Sequence, residues 1–156
     1  AEATSKKVPE AMAETIENNM RKVIIDEQPI NPKYYEKMSE LLGALITQRR
    51  EEAITYQDYL EQVKNLAGKI NKPQGTTQYP ASVNTRGKQS LYDNLDQNEE
   101  LVIRIDTAIR HTKKADWKAN KFRLRSVERA VMEELGGYET NTDNLMDLIK
   151  NQPEYE

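Results

Sequence analysis

The 156 residues carry a formal net charge of -3 and a sequence pI near 5.4, so any affinity for nucleic acid must come from a local basic site. Cysteine is absent, which excludes disulfides, thiolate metal sites and thiol nucleophiles and fits a reducing cytoplasm. Apolar residues make up 37% and charged residues 31%, with one Phe, one Trp and eight Tyr, so the length supports one modest core of Leu, Ile, Val, Met and tyrosine rings.

No segment approaches the roughly 20 apolar residues that span a bilayer; Leu41 to Ile46 is among the longest apolar stretches, and no signal peptide opens the chain. A soluble protein is expected. The small, polar opening AEATSKK reads as the start of a piece excised from a longer chain.

In chain order, Pro9 suits the first turn of a helix, and Met12, Ile16, Met20, Val23 and Ile24 recur at helical spacing to about Asp26. After Pro29, Asn31 and Pro32 form an N-cap and first-turn pair for a second helix bearing Tyr34, Tyr35, Met38, Leu41, Leu42, Leu45 and Ile46. Its charged end, with Arg49 and Arg50 beside Glu51 and Glu52, predicts an exposed terminus with local ion pairs. Thr55 followed by Asp58 approximates a capping box for a third helix with Tyr56, Tyr59, Leu60, Val63, Leu66 and Ile70 on its stripe, ending near Asn71.

Residues 71–86 collect Pro, Gly, Thr, Ser and Asn without period and predict a long irregular loop, a length that goes with function or mobility. A short helix through Ser90, Leu91, Tyr92 and Leu95 follows. Asp96 with Glu99 is expected to cap a fifth helix carrying Leu101, Val102, Ile105, Ala108 and Ile109. A sixth should run from Asp116 to Leu135 and stop at Gly136 and Gly137, and a last one should cover Asp143 to Lys150. With no strand pattern, the fold class is all-α: one compact domain of six to seven helices and one long loop.

The sharpest local signal is IRHTKKADWKANKFRLRSVER, whose cations Arg110, Lys113, Lys114, Lys118, Lys121, Arg123, Arg125 and Arg129 face only Asp116 and Glu128, a net charge of about +6. On a continuous helix Lys118, Lys121, Arg125 and Arg129 would line one stripe, with Trp117, Leu124, Val127, Val131 and Leu135 about a quarter turn away. Cations one turn apart can follow phosphates, which makes Lys113, Lys114, Lys118, Lys121, Arg123, Arg125 and Arg129 candidate DNA contacts. The plainer alternative is a solvated helix face. Trp117 shares the apolar stripe and reads as a core anchor rather than a base-stacking platform, whereas Phe122 beside the basic stripe is a partner contact or a scattered exposed residue. The tyrosines at 34, 35, 56, 59, 79 and 92 read as core or boundary residues.

No catalytic constellation emerges. The only histidine is His111, no HExxH or Gly-rich phosphate loop occurs, and the adjacent carboxylates Glu99 with Glu100 and Glu133 with Glu134 diverge around their helices.

Taken together, PKYYEKMSELL from Pro32, QRREEAITYQDYLEQV, the YP at Tyr79 and Pro80, LYDNL, HTKKADWKANKFRLRSVERAV and the closing DLIKNQPEY resemble the C-terminal domain of the R (HsdR) motor subunit of type I restriction enzymes, nearest the type IC branch. The resemblance spans roughly residues 31–155 in the family's motif order. It implies a division into a linking helix at 1–30 and a C-terminal helical domain at 31–156. It further implies a parent that hydrolyses ATP to pull double-stranded DNA and then cuts it, using ATP and Mg in upstream nuclease and helicase-like domains, with no cofactor in this segment. In the family this end is associated with docking onto the methyltransferase core of M and S subunits and with DNA contact. Carried over, the motifs mark Leu91, Tyr92, Asn94, Leu95, Trp117, Asn120 and Lys121 without assigning either segment to protein or to DNA; Leu91, Tyr92, Asn94, Trp117 and Asn120, together with Phe122 from beside the basic stripe, are the candidate partner contacts. A docking module with no direct DNA contact is the alternative.

Overall fold

A computed structural model describes residues 2–71 and 79–156, with side chains from residue 9 onward. The described residues form seven α-helices, a closing 3₁₀ turn and no strand. The chain is therefore all-α. It divides into two compact units, one of Ala1–Gln28 with Tyr35–Thr76 and one of Pro29–Tyr34 with Thr77–Glu156, along lines different from the 1–30 and 31–156 division drawn from sequence. No helix among the described residues is long and apolar enough to cross a membrane.

The first unit is built from α1 (Glu2–Glu27), most of α2 (Pro32–Arg50) and α3 (Tyr56–Asn71). Pro9 lies within α1 rather than in its first turn, where it removes one donor from the hydrogen-bond ladder. The buried stripe of α1 is Ala13, Glu17, Met20 and Ile24; Met12, expected in the core, is 55% exposed. Met20 and Ile24 keep their expected places, while Ala13 and Glu17 rather than Met12 and Ile16 are the buried residues of the preceding turns. Helix α2 buries Tyr35, Met38, Leu42, Leu45 and Ile46, and α3, which packs on α1, buries Tyr59, Val63, Leu66 and Ile70. Both caps read from sequence form: Asn31 Oδ1 accepts from the Tyr34 amide, and Thr55 Oγ1 accepts from the Asp58 amide.

Glu17 is 3% exposed and is satisfied from three directions. Arg49 grips it with two parallel bonds of 2.8 and 3.0 Å, and the Tyr59 hydroxyl donates to it at 2.6 Å. The expectation that Arg49 belongs to an exposed, locally paired helix end is overturned by this fork, whose partner lies 32 residues away. Burial alone would push the Glu17 carboxyl up, but the hydrogen bonds from Arg49 and Tyr59 and the charges of Arg49 and Arg50 hold it below its ordinary value.

The second unit holds α4 (Arg86–Asn94), α5 (Glu99–Thr112), α6 (Lys121–Leu135) and α7 (Thr142–Lys150), closed by the turn Pro153–Tyr155. Leu91, Leu95, Leu101, Val102, Ile105, Ile109, Trp117, Val127, Val131, Leu135, Leu145, Met146, Leu148, Ile149 and Tyr155 form one core. Helix α5 packs on α6, and α4 on α5 and α7. Thr85, Asn98, Asn120 and Asn141 cap the four helices through their side chains. The predicted Asp96 cap is replaced by Asn98, because Asp96 has a positive φ of 54° and an N-cap needs extended backbone. The carboxylate of Asp96 accepts from the Tyr138 hydroxyl instead, and this bond, with partial burial, pushes the phenol up to about 12. Gly136 ends α6 with a φ of 57°, as its residue type predicts.

Of the predicted loop at 71–86, residues 72–78 lie outside the described residues. Those from Tyr79 to Thr85 are irregular but anchored: Val83 is buried, and the Tyr79 hydroxyl donates to Asp93. Just beyond, the Gly87 amide at the start of α4 donates to the Glu154 carboxylate, which also takes a 2.6 Å bond from Arg110. A Cβ at Gly87 would stand 2.6 Å from the Glu154 carboxyl carbon. Gly87→Ala is accordingly expected to displace Glu154 from both donors and to cost at most about 1.5–3 kcal/mol, the range for hydrogen bonds to a charged group. A urea midpoint equal to wild type would contradict this contact.

Candidate nucleic-acid and partner interface

The basic run divides into a turn and a helix rather than forming one helix. Residues 115–119 are turn, Asp116 has a φ of 58°, and α6 begins at Lys121, five residues later than expected. Asn120 explains the boundary: its side-chain oxygen accepts from the amides of Phe122 and Arg123 at 3.0 and 3.1 Å, which makes it the N-cap. Lys118 therefore does not share a helical stripe with Lys121, Arg125 and Arg129.

The turn is tied to the end of the chain. Trp117 is fully buried and its indole Nε1 donates to the Tyr155 carbonyl at 2.5 Å. The Tyr155 hydroxyl donates to buried Asp106 at 2.6 Å, and burial together with this bond pushes the phenol far above its ordinary value. Arg110 Nε bridges to Asp106 at 3.1 Å. Partial burial opposes its charge, but the bond to Asp106 and the carboxylates of Asp106 and Glu154 keep it protonated. Lys113 Nζ donates to the Glu156 backbone oxygen at 2.8 Å, and Lys118 Nζ to the Gln152 carbonyl and the Glu156 carboxylate, each at 3.3 Å. Arg123 Nη1 donates to the Ala115 carbonyl.

The seven candidate DNA contacts thus fall into two sets. Lys113, Lys118 and Arg123 make intramolecular bonds that hold the turn. Lys114, Lys121, Arg125 and Arg129 are at most marginally covered and have no ion pair or hydrogen bond among the described residues. These four are the cations free to meet an anion.

The candidate partner contacts divide as sharply. Leu91 and Trp117 are fully buried and offer no surface, a correction to their reading as contacts; their place in the core is the physical reason. Asn94 is half-buried: its amide donates to Asn31 Oδ1 at 2.8 Å and to the Ser90 carbonyl at 2.7 Å, and its oxygen accepts from the Lys33 amide at 3.3 Å. Asn31 in turn donates to Asp93 at 2.8 Å, so the LYDNL motif pins the start of α2. Tyr92 packs edge-on against Tyr79, ring centroids 5.7 Å apart. Asn120 is committed to capping. Phe122 alone among the six lies open, 81% exposed.

A cleft of about 460 Å³, not foreseen from sequence, lies beside Pro29 and Pro32 and is lined also by Asn94, Asn141, Asn144 and Asn151. On its lining the Asn151 amide donates to the Pro29 carbonyl at 3.0 Å. No group of three or more His, Cys, Asp or Glu side chains able to hold a metal ion gathers among the described residues. Comparison of the chain with models of known families, with curated proteins and with solved structures returns no match.

Proposed function

We propose that this chain is the non-catalytic assembly and DNA-contact domain of a type I restriction R subunit, seating the ATP-dependent translocase and endonuclease on the methyltransferase core of M and S subunits and on double-stranded DNA in the cytoplasm. The ATP and Mg chemistry of such a protein belongs to upstream domains. The observation that carries the DNA part of the reading is the pair of exposed lysines Lys114 and Lys121 on either side of the Trp117 turn, unpaired among the described residues, within a chain of net negative charge. The resemblance of its motifs to that family supplies the identity of the partners. A second reading, docking without DNA contact, is favoured by the exposed Phe122.

The test is capture of this domain by the M and S subunits, with and without duplex DNA, over a salt series. Each phosphate neutralised contributes about 0.9 to the slope of log affinity against log salt. Reversing Lys114 and Lys121 to Glu should flatten the DNA-dependent slope by about 2 units, with far-UV helicity unchanged. A slope that does not move removes DNA from the reading, and wild-type domain that is never captured removes the family assignment.

A further inference from the structure

Helix α6 buries Val127, Val131 and Leu135 against the core, with Leu124 packed beside them, and leaves its opposite side uncovered. On that side Phe122, Arg125, Arg129 and Met132 follow at intervals of three, four and three residues, which puts them on one face over about 15 Å of helix. Phe122, the chain's single phenylalanine, is 81% exposed and Met132 is 54% exposed. Two arginines without a partner among the described residues stand between two apolar ends.

We infer that this face is a protein-docking surface, and that its occupant is an acidic protein surface with an apolar recess for Phe122 and carboxylates for Arg125 and Arg129. The inference rests on the assembly reading above and assigns that assembly to one helix face. Three observations favour protein over duplex DNA as the occupant. Only two cations lie on this face, and exposed apolar side chains, Phe122 and Met132, close it at both ends. Glu128, Glu133 and Glu134 leave α6 nearly neutral, so the helix as a whole presents little field to a polyanion. Phe, Met and Arg are the residue types that protein interfaces concentrate, and Arg125 stands one helical turn from Phe122 on the same face. The Arg forks match carboxylates in shape as well as charge, which gives the complementarity that selects an acidic partner.

The probe is the purified complex of M and S subunits of the same restriction system, titrated with this domain in the absence of DNA. Phe122→Ala should weaken binding by about 30-fold or more, the threshold of a hot spot. Paired Arg125→Glu and Arg129→Glu changes should weaken it further and more so at low salt. Because Phe122 projects into water, circular dichroism and melting of the variant should match wild type. Wild-type affinity in Phe122→Ala overturns the inference while leaving the assembly reading standing, and so does a loss confined to titrations with duplex DNA. Failure of the wild-type domain itself to bind the complex overturns both.

Discussion

Replacing Trp117 by alanine is expected to destabilise the unit containing α4 to α7 by about 3–5 kcal/mol, the range for emptying a large buried aromatic site. Two losses combine. The ring leaves a cavity among fully buried neighbours of the second core, and the Tyr155 carbonyl loses the indole donor that reaches it at 2.5 Å. Trp117→Phe separates the two, since it retains most of the apolar volume and gives up the donor, and should cost about 1–3 kcal/mol for the orphaned acceptor. The order of urea midpoints should therefore be wild type, then Trp117→Phe, then Trp117→Ala. A base-stacking role would give another pattern: an alanine variant with wild-type stability and weakened DNA binding would show that the core assignment of this residue is mistaken. Trp117 is the only tryptophan, so the emission of the wild-type chain reports the unfolding of this unit alone.

Arg49→Met should cost a similar amount, about 3–5 kcal/mol, in the unit formed by α1, α2 and α3, because it strands a buried carboxylate without its counter-charge. The remedy follows from the same physics. Glu17→Leu combined with Arg49→Met removes both charges and should recover most of the loss, since a packed apolar pair often matches a buried ion pair. The pH dependence supplies an independent check. The folded-state carboxyl of Glu17 lies below its ordinary value of 4.5, so its contribution is present above that pH and is lost as pH falls through the folded value. In Arg49→Met the dominant upward push of burial loses its main opposition. The Glu17 carboxyl should then rise, and mild acid should restore stability instead of removing it. Equal acid slopes in wild type and variant would show that Arg49 does not govern this carboxylate.

Both changes fall on residues whose environment the sequence disclosed unequally. Trp117 sits among Leu124, Val127 and Val131 in the apolar pattern, and the core location read from that pattern is the observed one. Arg49 stands among QRREEA, where local charges offer every reason to expect an exposed end; its true partner, Glu17, is 32 residues away. The one available clue was register. Ala13, Glu17, Met20 and Ile24 recur at helical spacing as well as the more hydrophobic alternative does, but a glutamate on a buried stripe is implausible until its counter-ion is known.

The candidate interface shows the same division. Local chemistry sufficed to find the basic run and to single out Phe122 beside it. It did not reveal that Asn120 caps a helix starting at Lys121, since a helix start five residues earlier fits the apolar period nearly as well. Nor did it show that Lys113 and Lys118 are engaged by Gln152 and Glu156, more than 30 residues onward. The free cations were separable from the structural ones only once the closing turn was in place.

Legible along the chain were the all-helical class, the approximate extent of most helices, the Asn31 and Thr55 caps, and the apolar faces of α3 and α5 with that of α2 apart from exposed Leu41. These depend on periodicity and on hydrogen bonds spanning three or four residues, so the information is local. Tertiary structure alone decided the grouping into two units, the pairing of Arg49 with Glu17, the joining of the Trp117 turn to Tyr155, and which cations remain free. Those outcomes depend on which distant carboxylate or carbonyl can reach a buried donor at about 3 Å, the reach of a hydrogen bond, and that is set by how helices pack rather than by spacing along the chain.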